Sequence, residues 1–287
     1  MSNSKYLMLA LALLVVAALG CTTSIGVSLY TADETIQKSF EVGSSPRVVV
    51  ETFNGKIDVV ADTGSAVQAS VTKRGSGNNQ SAAQDDLKNI QVSMTQDGGQ
   101  DGGQDGGTVR IIVRRVSQRA TWGNSGASAS LKVPSGTVLE LRSSNGSVTL
   151  AGQTGDVTIN TSNGKIVVDG SQGQLRLDTS NGSIEANANN AVVNARTSNG
   201  NIMFKGALVK GDHTLRTSNG RITLTLPANA SFKFDAETSN GQVTSDFAVI
   251  RTGGSRDAEL RGTVGDNPAA SIELRTSNGS IEIRKGQ

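Results

Sequence analysis

The chain has 287 residues, 27 of them basic and 25 acidic, for a formal net charge of +2. That balance excludes the basic footprint of a nucleic-acid-binding protein, so no nucleic acid is expected as a partner. Glycine is abundant at 34 residues and aromatics make up 3%, which suits a thin stack of Val, Ile, Leu and Thr rather than a globular core with a large ligand pocket.

The first segment, MSNSKYLMLALALLVVAALGC, has one Lys and an apolar run from Leu7 to Leu19. The run is too short to span a bilayer comfortably and has the shape of a secretory signal over residues 1–20. Its end, Ala18-Leu19-Gly20-Cys21, resembles the bacterial lipobox. That resemblance implies diacylation of Cys21 and attachment to a membrane through an N-terminal lipid. Cys21 is the only cysteine, and a thioether anchor is a safer use of it in an exported chain than a free thiol. An uncleaved anchor, or a cysteine merely near a signal-cleavage site, is the alternative. Removing residues 1–20 takes Lys5 and no acid, which leaves a net charge of +1. Residues 21–38 then read as a tether. Asp does not follow Cys21, and resemblance to Gram-negative lipoproteins then implies outer-membrane sorting in such a source.

Residues 39–287 read as one domain. VVVETFNGKIDVVA places Val48, Val50, Thr52 and Asn54 on one parity and Ile57 and Val59 on the other. Successive strand residues face opposite sides, so one straight strand cannot bury both sets and the chain must bend at Asn54-Gly55. Next, SAAQDDLKNIQVSM puts Ala83, Leu87 and Ile90 at helical spacing behind a Ser81/Gln84 capping box. A short helix covering one end of the structure is expected there. QDGGQDGGQDGG follows at residues 96–107, so helix and low-complexity loop together occupy 80–107. The run lacks the ligand spacing of a calcium loop and reads as a hairpin turn lengthened by duplication.

Beyond residue 138 one phrase keeps returning: SSNG at Ser143, then TSNG at Thr161, Thr179, Thr197, Thr217, Thr238 and Thr276. Its corner residues are Asn145 and Gly146, Asn163 and Gly164, Asn181 and Gly182, Asn199 and Gly200, Asn219 and Gly220, Asn240 and Gly241, Asn278 and Gly279. The glycines are spaced 18, 18, 18, 20, 21 and 38 residues apart. A near-fixed short period marks a supersecondary unit that stacks on itself. At each phrase the apolar parity flips, as from Val157 and Ile159 to Ile166 and Val168. Asn-Gly supplies a sharp bend through left-handed backbone. A meander of hairpins is one reading of such bends. Near-identity of every copy favours the other, a β-solenoid in which equivalent residues sit about 4.8 Å apart and Asn can ladder on Asn. The Thr of each phrase points inward by parity and needs a hydrogen-bond partner there.

A second corner lies in AGQTGD, DGSQGQ and FKGALVKGD, where the longer steps place their extra residues. A left-handed hexapeptide helix is excluded, because its apolar slot would fall on Arg142, Asn160, Asp178, Arg196, Arg216, Glu237 and Arg275. The final 38-residue step reads as a double unit containing a degenerate coil. The expected architecture is therefore all-β: a single-domain solenoid with coils of 18–21 residues and one short helical insertion.

Catalytic chemistry finds little support. His213 is the only histidine, which excludes a histidine-based triad or a multi-histidine metal site, and it reads as an exposed residue of the tolerant corner. Asp156, Asp169, Asp178, Glu185 and Glu237 fall in different slots of the repeat, and Asp178 beside Arg196 reads as an exposed ion pair. No catalytic residue, metal or cofactor is expected.

The signal, VVVETFNGKIDVV, the short helix and the ladder ending in IELRTSNGSIEI together resemble a bacterial β-strand-repeat "putative adhesin" family of unknown function, related to the autotransporter-adhesin head (GIN) domain. The resemblance covers roughly residues 39–287 and implies an extracytoplasmic, right-handed β-helix without catalytic residues. The expectation is a lipid-anchored envelope protein that displays a polar surface to an envelope protein or a glycan. A carbohydrate-active β-helix enzyme and an envelope-stress component that binds a partner near the membrane are the alternatives.

Overall fold

A computed structural model describes residues 30–98, 106–116, 125–253 and 257–286. Cys21, the leader and the middle of the QDGG run lie outside the described residues.

In chain order the strands begin with β1 (Tyr30–Glu41), β2 (Arg47–Thr52), β3 (Ile57–Asp62) and β4 (Ala66–Gly77), followed by the helix α1 (Gln80–Lys88). Then come β5 (Ile90–Asp97), β6 (Thr108–Arg115), β7 (Gly126–Pro134), β8 (Val138–Ser143), β9 (Val148–Ala151) and β10 (Val157–Thr161). The long strands β11 (Ile166–Thr179) and β12 (Ile184–Arg196) precede β13 (Ile202–Lys205), β14 (Gly211–Arg216) and β15 (Ile222–Leu226). The chain closes with β16 (Phe232–Asn240), β17 (Val243–Ser245), β18 (Ile250–Gly253), β19 (Glu259–Val264), β20 (Ala270–Asn278) and β21 (Ile281–Lys285).

These strands form a β-solenoid with two walls. In the middle, each coil contributes one strand before its SNG corner and one after it, and both pair in parallel with the same strands of the next coil. Thus β8, β10 and β11 stack in register as Leu139, Val157 and Leu175, while β9, β11 and β12 stack as Val148, Ile166 and Ile184. Because β11 and β12 run through both walls, the whole assembly counts as one 21-stranded sheet. The alternation read from the sequence is the burial pattern: Leu141, Leu150, Ile159, Ile166, Leu177 and Ile184 are all fully buried between the walls. Each such side chain contributes about 2 kcal/mol through removal of apolar surface from water.

Stacking order departs from chain order at both ends. At the N-terminal end β2 lies between β6 and β8, and β3 lies between β7 and β9, so the coil made by β6 and β7 sits outside the first coil. At the C-terminal end β20 is inserted between β14 and β16, and β21 between β15 and β17. The segment expected to be a degenerate coil is instead an antiparallel hairpin, β18–β19, laid antiparallel on β16. Antiparallel pairing ends the repeat, and Phe232, Phe234 and Phe247 cluster there with ring centroids 5.7 and 5.3 Å apart.

The expected tether also needs correction: from Tyr30 onward it is β1, antiparallel to β4 over its whole length. Its residues show no clean alternation because it is an edge strand, and its charges Asp33, Glu34, Lys38 and Glu41 suit an edge that must not pair further. Lys38 Nζ donates to the Met94 carbonyl at 3.1 Å and Gln96 Nε2 to the Glu41 carbonyl at 2.6 Å, so β1 is stitched across to β5, the edge of the other wall. These two strands, rather than the helix alone, finish the stack.

The helix begins two residues earlier than its expected capping box. Asn79, extended at φ −151°, accepts from the Ala82 N–H at 2.8 Å, and Ser81 lies inside the first turn. The helix backbone packs directly on β4, where a Cβ on Gly75 would lie 2.4 Å from the Ala83 carbonyl oxygen. Buried Asp86 ties it down by accepting from the Ser76 N–H at 2.9 Å, from Arg115 at 3.0 Å and from the Ser125 hydroxyl. The QDGG run joins β5 to β6, which pair antiparallel from Asp97 and Thr108 onward as a hairpin does.

Candidate functional site: a lateral groove beside the corner ladder

The corner is built from two ladders. On its inner side each hydroxyl of the phrase donates to the glycine carbonyl of the neighbouring coil: Ser143 to Gly55 at 3.1 Å, Thr161 to Gly146 at 3.0 Å, Thr179 to Gly164 at 3.0 Å and Thr197 to Gly182 at 2.9 Å. The series continues with Thr217 to Gly200, Thr276 to Gly220 and Thr238 to Gly279 at 2.8 to 3.0 Å. On the outer side each asparagine amide donates to the next: Asn163 to Asn145, Asn181 to Asn163, Asn199 to Asn181, Asn219 to Asn199, Asn278 to Asn219 and Asn240 to Asn278, at 2.7 to 2.9 Å. The out-of-order coil of β20 and β21 therefore takes its place in the same ladder.

Apart from Gly55 and Gly279, at φ 156° and 154°, the corner glycines serve a purpose other than positive-φ backbone. Gly146, Gly164, Gly182, Gly200, Gly220 and Gly241 lie outside the positive-φ region, and a Cβ on any of them would fall 1.9 to 2.1 Å from the carbonyl oxygen of the stacked glycine. Close approach of two backbones excludes every other residue. Left-handed backbone is found at the second corner instead, in Gly152 at φ 75°, Gly170 at 63°, Gly173 at 77° and Asn190 at 55°.

Beside this corner runs a groove of about 740 Å³. One side presents the exposed, unpaired hydroxyls of Ser144, Ser162, Ser180 and Ser198, one per coil, and the other presents Arg142, Asn160, Asp178 and Arg196. Buried Thr161 and Thr179 floor it, their own hydroxyls already committed to the glycine carbonyls. Its N-terminal end is closed by Phe53 and Val113, because β6 pairs with β2 only as far as Ile112 and then continues with β5 past the bend. The Arg115 guanidinium lies 5.5 Å from the Phe53 ring centre. Parity places the Ser of each phrase outward, and that signal was available in the sequence; the overhang that turns a row of serines into a groove was not.

The strand face leading to the groove carries an ion network. Arg142 pairs with Glu51 at 3.0 Å and with Glu140, Arg216 pairs with Glu273 at 2.6 Å, and Arg275 pairs with Asp235 at 2.9 Å. The two arginines beside Asp235 hold its carboxyl below the usual range, the Arg275 hydrogen bond first among them. The expected Asp178–Arg196 pair is absent: Asp178 is taken by Arg176 at 3.3 Å on its own strand. Among the described residues no group of three or more His, Cys, Asp or Glu is placed to hold a metal ion.

His213 is not an exposed loop residue. It occupies the inward slot that Ile272 fills in the adjacent coil and is 2% exposed. Its Nδ1 accepts from the Val193 N–H at 3.2 Å and its Nε2 donates to the Val209 carbonyl at 2.9 Å. The extra residues of this coil delay the β12–β14 ladder until Asn194 and Thr214, and the imidazole satisfies the Val193 N–H in its place. Burial pushes its pKa down.

The two-walled β-solenoid presents an extended, open polar groove along one corner rather than an enclosed pocket. The chain belongs to the Toastrack DUF4097 family, whose model matches residues 49–284. Among solved structures it is similar to a "putative cell adhesion protein" from Clostridium sporogenes, with 10% identity over 87% of this chain and 99% of that one and a TM-score of 0.36. "Putative adhesins" from Bacteroides fragilis and Parabacteroides distasonis match at 12% and 11% identity, each covering 87% of this chain and 96% of theirs with a TM-score of 0.40. A comparison with curated proteins finds no match.

Proposed function

We propose that the chain is an extracytoplasmic lipoprotein, held to the membrane through Cys21, whose solenoid is a non-catalytic, adhesin-like binding module of the cell envelope. The observation that carries this reading is the groove: unpaired hydroxyls repeat coil after coil beside a hydrogen-bonded corner ladder. Such a surface contacts an extended partner many times without rearranging, and multiple weak contacts at fixed spacing add up. The chemistry available there is hydrogen bonding and charge, which suits a glycan.

Two measurements test it. Mass spectrometry of the N-terminal peptide from the membrane fraction should find acylated Cys21, and Cys21→Ser should release the protein; an unmodified soluble wild type defeats the anchor. Replacement of Ser162 and Ser180 together by Leu, which fills the groove from its exposed side and removes both hydroxyls without adding charge, should abolish binding to isolated envelopes. Undiminished binding by that variant removes the groove from the function.

A further inference from the structure

The groove does not stop at Ser198. Past Arg196 it opens into a second depression of about 250 Å³, lined by Arg176, Asp178, Asn194, Arg196, Thr214 and Arg216. Arg196 lines both, so the two concavities share a wall.

Three guanidiniums converge there with one carboxylate. Asp178 is held by Arg176, and the acid that pairs with Arg216, Glu273, belongs to the coil on its far side. Arg196 and Arg216 are register partners on adjacent parallel strands, with no acid between them. Like charges directly opposed across a ladder repel. In the outward rank Arg142, Arg196, Arg216 and Arg275, Arg196 alone makes no ion pair. An anion seated between the two arginines would relieve their repulsion and give Arg196 the partner it lacks.

We propose that this depression binds the acidic group, carboxylate or sulfate, of a polysaccharide lying along the serine groove; the inference rests on the groove reading above. Guanidinium forks match planar or tetrahedral oxyanions and recognise them through paired N–H donors. A peptide is the weaker fit. Strand addition needs a free backbone edge, which stacked coils do not offer here, and helix docking needs an apolar trough, whereas this surface is hydroxyl, amide and charge. Serines in the groove would meet sugar hydroxyls while the arginines read the acid.

The test uses the full chain in mild detergent at fixed salt, with polygalacturonate, dextran sulfate, neutral dextran and polyglutamate as probes. Polygalacturonate or dextran sulfate should bind, whichever acid is preferred, and Arg196→Gln should weaken that binding at least about tenfold. Arg196→Lys should recover part of it. Arg284→Gln removes the same charge from the other wall, where Arg284 is paired with Glu282, and should change little. Arg196 has no ion-pair partner to lose, so its variants should keep the wild-type unfolding temperature. Equal losses from Arg196→Gln and Arg284→Gln reduce the effect to bulk charge and overturn the proposal. Polyglutamate bound as tightly, with the same dependence on Arg196, overturns it in favour of an acidic protein partner. Neutral dextran bound independently of Arg196, with no preference for acidic polymers, overturns acid selectivity but leaves the groove reading standing. No binding of either acidic polysaccharide overturns the proposal outright.

Discussion

The hydroxyl of Thr179 donates to the carbonyl of Gly164 at 3.0 Å, one coil away and beneath the surface. Thr179 is 7% exposed, so Thr179→Val keeps shape and burial but leaves the Gly164 carbonyl without this donor. The loss should cost about 1 to 2 kcal/mol. The outward Thr149 makes no such bond, and Thr149→Val should be near neutral. Denaturant titration of the two variants checks the contrast; equal effects would remove the threonine ladder from the account of stability.

Glycine does two different jobs in this chain, and Asn substitution separates them. At Gly170, φ is 63° and a new Cβ meets nothing closer than 3.9 Å, so Gly170→Asn should be tolerated. At Gly200 a Cβ would lie 2.1 Å from the Gly182 carbonyl oxygen, so Gly200→Asn should cost on the order of 3 kcal/mol. Thermal unfolding should show a drop of roughly 6 to 12 °C for the second variant and little for the first. The double replacement of Asn199 by Ala and Gly200 by Val should behave like the second, through this clash rather than through backbone strain.

His213 predicts an acid-sensitive fold. Its folded pKa lies below the ordinary 6.5, so the unfolded chain takes up the proton first. Stability from the neutral ring is complete above about 6.5 and is lost as pH falls from there toward the folded pKa. Protonation also puts a hydrogen on Nδ1, facing the Val193 N–H that it now accepts. Unfolding temperatures measured from pH 7.5 to 5 should fall more steeply for the wild type than for His213→Leu, which cannot titrate. Parallel curves would exclude this origin.

Asp235 contributes in a lower window. Its folded pKa is depressed from 3.8 by Arg275 and Arg261, so its contribution is present above that value and disappears as pH falls below it. Asp235→Asn should be less stable than the wild type at pH 7, and the difference should shrink as pH falls below 3.8. A constant difference across that range would mean the carboxylate charge is not what matters.

Much of this architecture was legible because a strand has a strict period of two. Parity at Leu139, Leu141, Val148 and Leu150 dictated two walls and a bend, and the inward threonines sit where that count puts them; the asparagines ladder as the repeat implied, but the bend turns them outward, off the inward parity they share with the threonines. Stacking order was not legible: Asn219, Asn278 and Asn240 sit in near-identical phrases, and nothing local says which pair will touch. The strand β1 was hidden for a related reason, since an edge strand needs no clean apolar face. His213 was misread because a polar residue beside a variable loop normally faces water; here the loop itself created the backbone groups that the ring satisfies. The groove depends on β6 outrunning β2, a relation between segments roughly 60 residues apart in sequence that no periodicity encodes.

The interposed C-terminal coil acts as a keystone. From β8 to β15, neighbours in sequence are neighbours in the stack, so a coil there can be duplicated or lost by copying one stretch of DNA. At the C-terminal end β20 and β21 must enter a slot already flanked by β14 and β15 on one side and β16 and β17 on the other, with Asn278 reaching Asn219 across 59 residues. On the ribosome that slot stays open until β20 and β21 emerge, after both sets of flanking strands have been made, so the arch closes late. The molecule can therefore vary in length at its centre while both ends stay fixed.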